Sequence, residues 1–120
     1  MSIKRYAARA DVNQAKIVDM LRKLGFSVEI IGMPSDLLIA KNGTTVVIEV
    51  KNPDQSPSKR RLTDQEREFY ESWQGLYAVI ETQEECLSLK EAFSMGAKAV
   101  SDWCSINMKD HFGNNYKPRA

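Results

Sequence analysis

Cysteine, histidine and proline are all scarce in this chain. Among 120 residues there are two cysteines, one histidine and four prolines. Cys86 and Cys104 are too few for a disulfide framework or a four-ligand zinc site, so a reducing, cytoplasmic setting is the default. No apolar run approaches the ~18 residues that a bilayer span needs. The opening MSIKRYAARADVNQ has no apolar stretch, so no secretory leader is expected. There is no G-x-x-x-x-G-K-S/T loop, no G-x-G-x-x-G and no G-x-S-x-G. P-loop nucleotide hydrolysis and serine-hydrolase chemistry have no support. Internal repeats and low-complexity segments are missing too.

An excess of charge is also lacking, because the net charge is only +1. That balance conceals an asymmetry. Residues 1–61 carry 11 Lys/Arg and 6 Asp/Glu, residues 62–91 carry 2 and 8, and residues 92–120 carry 4 and 2. Bulk electrostatics cannot hold a polyanion here, so any such contact must be local to the basic half. With 42% hydrophobic and 28% charged residues, the composition is that of an ordinary globular domain, and the length suits one core.

Periodicity predicts a helix from about Asp11 to Leu24, with Ile17, Val18, Leu21 and Leu24 on one stripe, Asp11 as its cap and Gly25 as its stop. FSVEII is β-prone and GMPS reads as a turn. Two apolar runs, 36–40 and 44–51, flank Lys41-Asn42-Gly43, a tight-turn signal that predicts an antiparallel hairpin. Neither run alternates strongly, so both faces should be covered. NPDQSPSKRRL is a loop by composition. Thr63-Asp64-Gln65-Glu66 is a capping box that opens a helix to about Trp73, ended by Gly75. LYAVIET predicts a strand and QEECLSLKEAF a helix. The order is that of an α/β fold, a mixed central sheet flanked by helices. A single domain over 1–120 is expected, with a core of about 9–95, a basic arm at 1–8 and a tail at 107–120.

Chemistry concentrates between Asp36 and Lys51. Alternation along TTVVIEVK puts Val46, Ile48 and Val50 on one face and Val47, Glu49 and Lys51 on the other. Counting back from the turn brings Asp36 close to opposite Glu49, allowing for a one-residue bulge. Charged groups at the end of a buried strand are costly unless paired or bound to a metal. Two carboxylates and a lysine suit a hard divalent cation such as Mg²⁺ (or Mn²⁺) that keeps several waters. The ordinary alternative is a turn Asp and a surface Glu–Lys pair; the apolar residues flanking this pair argue against it.

Pro34-x-Asp36, twelve intervening residues and then Glu49-Val50-Lys51 resemble the PD-(D/E)XK nuclease superfamily. The closer resemblance is to its VRR-NUC and Holliday-junction-resolvase-like branch, which includes small stand-alone phage nucleases. Asn13-Gln14 followed by Ile17, Val18, Leu21 and Gly25, the basic proline-containing loop, and Leu62-Thr63 through Trp73-x-Gly75 extend the likeness over about residues 9–90. Two departures stand out: Gln14 where many members have Glu, and Ser35 between Pro34 and Asp36.

The resemblance implies a restriction-endonuclease-like core and a metal-dependent DNA endonuclease selective for branched or junction DNA. Asp36 and Glu49 would be metal ligands with the Val50 carbonyl as a possible third, and Lys51 would be the catalytic lysine. A chain this small offers little surface for wrapping DNA, so a homodimer with two sites is expected, with the aromatics Phe69, Tyr70 and Trp73 or the C-terminal region as interface, acting in the cytoplasm (of a host, if phage-encoded). Gln14 shares the inward stripe of its helix, so it either reaches the site or closes a capping box with Asp11. Gln65, spaced with Phe69 and Trp73, is either a contact to the lysine or scissile phosphate or a helix-terminal amide bonded to backbone. Lys59, Arg60 and Arg61 are either DNA-backbone contacts or a solvated run, and so are Lys4, Arg5 and Arg9. His111 falls in the expected tail with no partner at ligand spacing. The rival readings are a non-catalytic nucleic-acid-binding or assembly protein that keeps the fold, and a small α/β interaction module.

Overall fold

The computed structural model describes residues 2–112, with side chains from residue 12 onward. Helix α1 (Ser2–Lys23) leads into β1 (Ser27–Ile30), β2 (Leu37–Lys41) and β3 (Thr44–Val50). A 3₁₀ turn at Pro57–Arg60 precedes α2 (Asp64–Ser72), β4 (Leu76–Ile80), α3 (Gln83–Met95) and α4 (Ala97–Phe112). The four strands form one mixed sheet in the order β1-β2-β3-β4, with β3 and β4 parallel and the other pairs antiparallel. The chain is thus an α/β domain with a four-stranded mixed sheet flanked by helices. Among the described residues, no helix is long and apolar enough to cross a membrane.

Local chemistry accounts for the punctuation. Asn42 and Gly43 both have positive φ, 54° and 80°, the two-residue turn whose twist matches that of the flanking strands. Lys41 therefore pairs with Thr44, and the register runs to Leu37 opposite Ile48. Carried one residue past the last paired positions, this register sets Asp36 opposite Glu49 without a bulge, because the turn centre lies between residues 42 and 43. Gly25, at φ 92°, ends α1 as expected. The Thr63/Glu66 capping box is formed at the start of α2, and a second one, Thr82/Glu85, opens α3.

The sheet separates two apolar layers. On one face Ile17, Val18 and Leu21 of α1 and Leu89 and Phe93 of α3 pack over Val28, Leu37, Ile39, Val46, Ile48 and Ile80. On the other, Tyr70 of α2 and Met108 of α4 close over Val47, Tyr77 and Val79. The side chains of β3 divide between these layers as their alternation requires. The sheet edge at β4 is covered by α4. The buried Asn107 amide accepts from Val79 N (2.8 Å) and donates to Val79 O (2.8 Å), standing in for a neighbouring strand.

Three expectations are corrected. The first helix does not begin at Asp11 but runs through it from Ser2, so the expected arm is helical over residues 2–8 and Asp11 is not a cap. The expected tail is helical as far as Phe112, with Asn107 and Met108 buried, because α4 is needed to satisfy the open edge of β4; residues 113–120 lie outside the described ones. Tyr70, offered as an interface aromatic, is 3% exposed and belongs to the internal layer against Tyr77.

Candidate active site

The site lies where β3 and β4 reach their carboxyl ends, the edge at which open α/β sheets expose backbone and side chains to a ligand. Asp36 precedes β2 and is tied to β3, its Oδ2 accepting from Val50 N at 2.8 Å. Glu49, across from it, is 2% exposed. Lys51 follows two residues later on the same face, its side chain 11% exposed and its Nζ 3.9 Å from Glu49 Oε2. Asn13 of α1 donates to Lys51 O at 2.8 Å, which fixes that helix over the strand end. Asn13, Gln14, Asp36, Glu49, Val50, Lys51, Lys59, Arg61 and Glu66 are among the residues that line a cleft of about 390 Å³ here.

Two residues outside the expected set complete the cluster. Glu66, on the first turn of α2, accepts from Lys51 Nζ at 2.8 Å with the same Oε1 that accepts from Thr63 N at 2.8 Å. Its helix-capping bonds thus hold a carboxylate rigidly against the lysine. Ser35 Oγ, 2% exposed, lies 2.9 Å from Tyr77 Oη and donates to Glu49 Oε1 at 3.3 Å. The residue that separates Pro34 from Asp36 is therefore a buried support for Glu49.

Burial dominates the electrostatics. It pushes the Glu49 carboxyl up to about 10, reinforced by hydrogen bonding to Glu66 and by the charges of Asp36 and Glu66. Burial therefore favours the neutral form of Glu49 when no cation is present. For Glu66, burial works in the same direction but is outweighed by hydrogen bonds from Glu49, Lys51 and Thr63 N–H, which leave its carboxyl below the usual range. Burial also raises the Tyr77 hydroxyl, so it stays a neutral hydrogen-bonding group.

The other expected residues divide. Gln14 lines the cleft, and so do Lys59 and Arg61. Gln65 is exposed and does not line it. The inward stripe of α2 runs through Glu66 and Tyr70, one residue out of phase with the Phe69–Trp73 spacing that pointed to Gln65. Arg60 turns away and pairs bidentately with Glu81, Nε to Oε2 at 2.6 Å and Nη2 to Oε1 at 3.0 Å. The side chains of Lys4, Arg5 and Arg9 lie outside the described ones. His111 does have partners, with Nδ1 3.8 Å from Glu81 Oε1 and Nε2 3.7 Å from Glu85 Oε2.

Among the described residues, no group of three or more His, Cys, Asp or Glu is arranged to hold a metal ion. Asp36 and Glu49 supply two acids, and Val50 lines the same cleft. Such a donor set suits only a cation that keeps most of its water, as Mg²⁺ does. Compared with family models, curated proteins and solved structures, the chain matches none.

Proposed function

We propose that this cleft is the active site of a metal-dependent DNA endonuclease built on a restriction-endonuclease-like core. The observation that carries the reading is the cross-strand pair of Asp36 and Glu49, with Lys51 on the same face, in a cleft that Lys59 and Arg61 also line. A buried acid set opposite a second acid lowers stability unless something positive is meant to join them. A binding module of the same fold would gain nothing from the pair.

Asp36 and Glu49 would hold Mg²⁺ or Mn²⁺, with the Val50 carbonyl as a further donor. The ion would polarise the scissile phosphodiester and acidify a bound water. The chain's own groups do the rest. The Glu49 proton must leave before both acids can ligate, and Ser35 remains to orient its carboxylate. Lys51 carries a positive charge into a partly buried cleft, where it can orient the attacking water or neutralise the pentavalent phosphate. Glu66 keeps the ammonium in place through a bond that is itself fixed by the helix cap. Lys59 and Arg61 offer cations to the flanking phosphates, which position the strand without reading its sequence. Gln14 supplies an amide where a second acid would otherwise favour a second ion. Two copies, each with one such cleft, would cut both strands of a duplex.

Incubation of the protein with plasmid and branched DNA tests this. Cleavage is expected with Mg²⁺ or Mn²⁺, none with EDTA, and none for Asp36→Ala or Lys51→Ala. Variants that cut as well as wild type would remove the assigned site. DNA binding without cleavage by the wild type would favour the non-catalytic reading.

A further inference from the structure

From the end of β1 to Pro34 the chain is apolar and in water. Ile30 is 57% exposed, Ile31 37% and Met33 76%, and Pro34 is exposed too. This loop is not remote from the cleft. Ile31 N and Gly32 N both donate to Asp36 O, at 2.9 and 3.3 Å. The bond to Ile31 continues the β1–β2 register by one pair, from Ile30 opposite Leu37 to Ile31 opposite Asp36. Directly opposed residues share a face. Carried one residue past the paired strands, the two registers place Ile31, Asp36 and Glu49 in one row, with an exposed aliphatic residue beside the acids.

We propose that Ile31 and Met33 form a wedge that packs against an unstacked base of the DNA strand whose phosphate enters the cleft. The inference rests on the endonuclease reading and deepens it by naming the substrate feature recognised. Lys59 and Arg61 line the neighbouring cleft and, with a cation held by Asp36 and Glu49, suit a polyanion, and the largest apolar surfaces a nucleic acid offers are the faces of its bases. Stacked bases in plain duplex hide those surfaces, whereas a fork or branch exposes them at the discontinuity. The wedge thus gives a physical reason for a preference for branched DNA that does not depend on family resemblance.

Forked and plain duplexes carrying 2-aminopurine at the branch step provide the test, with binding and emission read in EDTA so that no cutting occurs. Wild type is expected to raise emission on the fork. Ile31→Ser/Met33→Ser, and Met33→Ser alone as a variant with little packing to lose, should lose that rise and bind the fork roughly tenfold more weakly. Binding to plain duplex and the thermal melting point should be unchanged. Because emission is read in EDTA, where nothing is cut, the readout separates the wedge from the chemistry. If wild type raises emission but cuts nothing, the endonuclease reading falls and the wedge stands. If the serine variants raise emission as wild type does, or no fork raises it, the wedge is wrong. Equal weakening on fork and duplex, with a fall in sedimenting mass, would assign the patch to a second copy of the chain and overturn the proposal.

Discussion

Replacing Glu66 separates the two tasks its carboxylate performs. Oε1 accepts from Thr63 N as half of a capping box and from Lys51 Nζ as its counter-charge, both at 2.8 Å. Glu66→Gln keeps an oxygen for the cap but removes the negative charge. A hydrogen bond to a charged group is worth about 1.5–3 kcal/mol. Part of that loss is recovered, because Lys51 can turn to Glu49, only 3.9 Å away, and favour its ionised form. A net cost of about 1 kcal/mol is therefore expected for Glu66→Gln. Glu66→Ala loses the cap as well, which adds about 1 kcal/mol. Urea unfolding of the two variants measures the difference. If the cleft cuts DNA as proposed, both variants should do so about 10–100-fold more slowly, the usual effect of removing a group that orients an active-site residue. Activity that survives Glu66→Gln unchanged would show that the Lys51–Glu66 bond has no part in positioning the lysine.

Two further outcomes concern stability. Asn107→Ala should leave Val79 N–H and C=O unpaired at a covered edge, at a cost of about 1–3 kcal/mol in urea unfolding, with faster hydrogen exchange at Val79; a change within ±0.5 kcal/mol would mean that water or the backbone takes over the pairing. Burial tends to raise the Glu85 carboxyl, but the His111 ring beside it and hydrogen bonds from the backbone N–H of Glu81 and Thr82 prevail and hold it below the ordinary carboxylate value. A depressed carboxyl contributes stability that is present above its unfolded value and lost as the pH falls through its folded value. Wild type should therefore lose stability as the pH drops below about 4.5, and Glu85→Gln should show a flatter acid limb in thermal melts; parallel limbs would contradict the assignment.

Much of the site was legible because a hairpin leaves little freedom. Asn42-Gly43 determined the turn, the turn determined the register, and the register brought Asp36 to Glu49. The expected bulge disappeared once the turn centre was placed between two residues rather than on Asn42. Glu66 was visible as a cap, and its second role was hidden by the phase of α2. Phe69 and Trp73 suggested one stripe, while Tyr70, the most buried aromatic of the helix, sets another that includes Glu66. Ser35 read as a spacer because sequence spacing cannot show that a hydroxyl is turned inward to Glu49 and Tyr77. Helix α4 was the least legible element. It packs against α3, the edge of β4 and the Tyr70–Tyr77 layer in turn, so its apolar residues follow no single stripe. Asn107, which ties it to the sheet, is a residue that composition assigns to loops.

Diffraction from crystals soaked in Mn²⁺, recorded at the manganese absorption edge, tests the central claim most directly. One anomalous peak is expected between Asp36 and Glu49, with a carboxylate oxygen from each about 2.2 Å from the ion and water completing the shell. An ion held elsewhere, or a cleft in which Glu49 stays bonded to Ser35 with no ion beside it while Mn²⁺ is in excess, would contradict it.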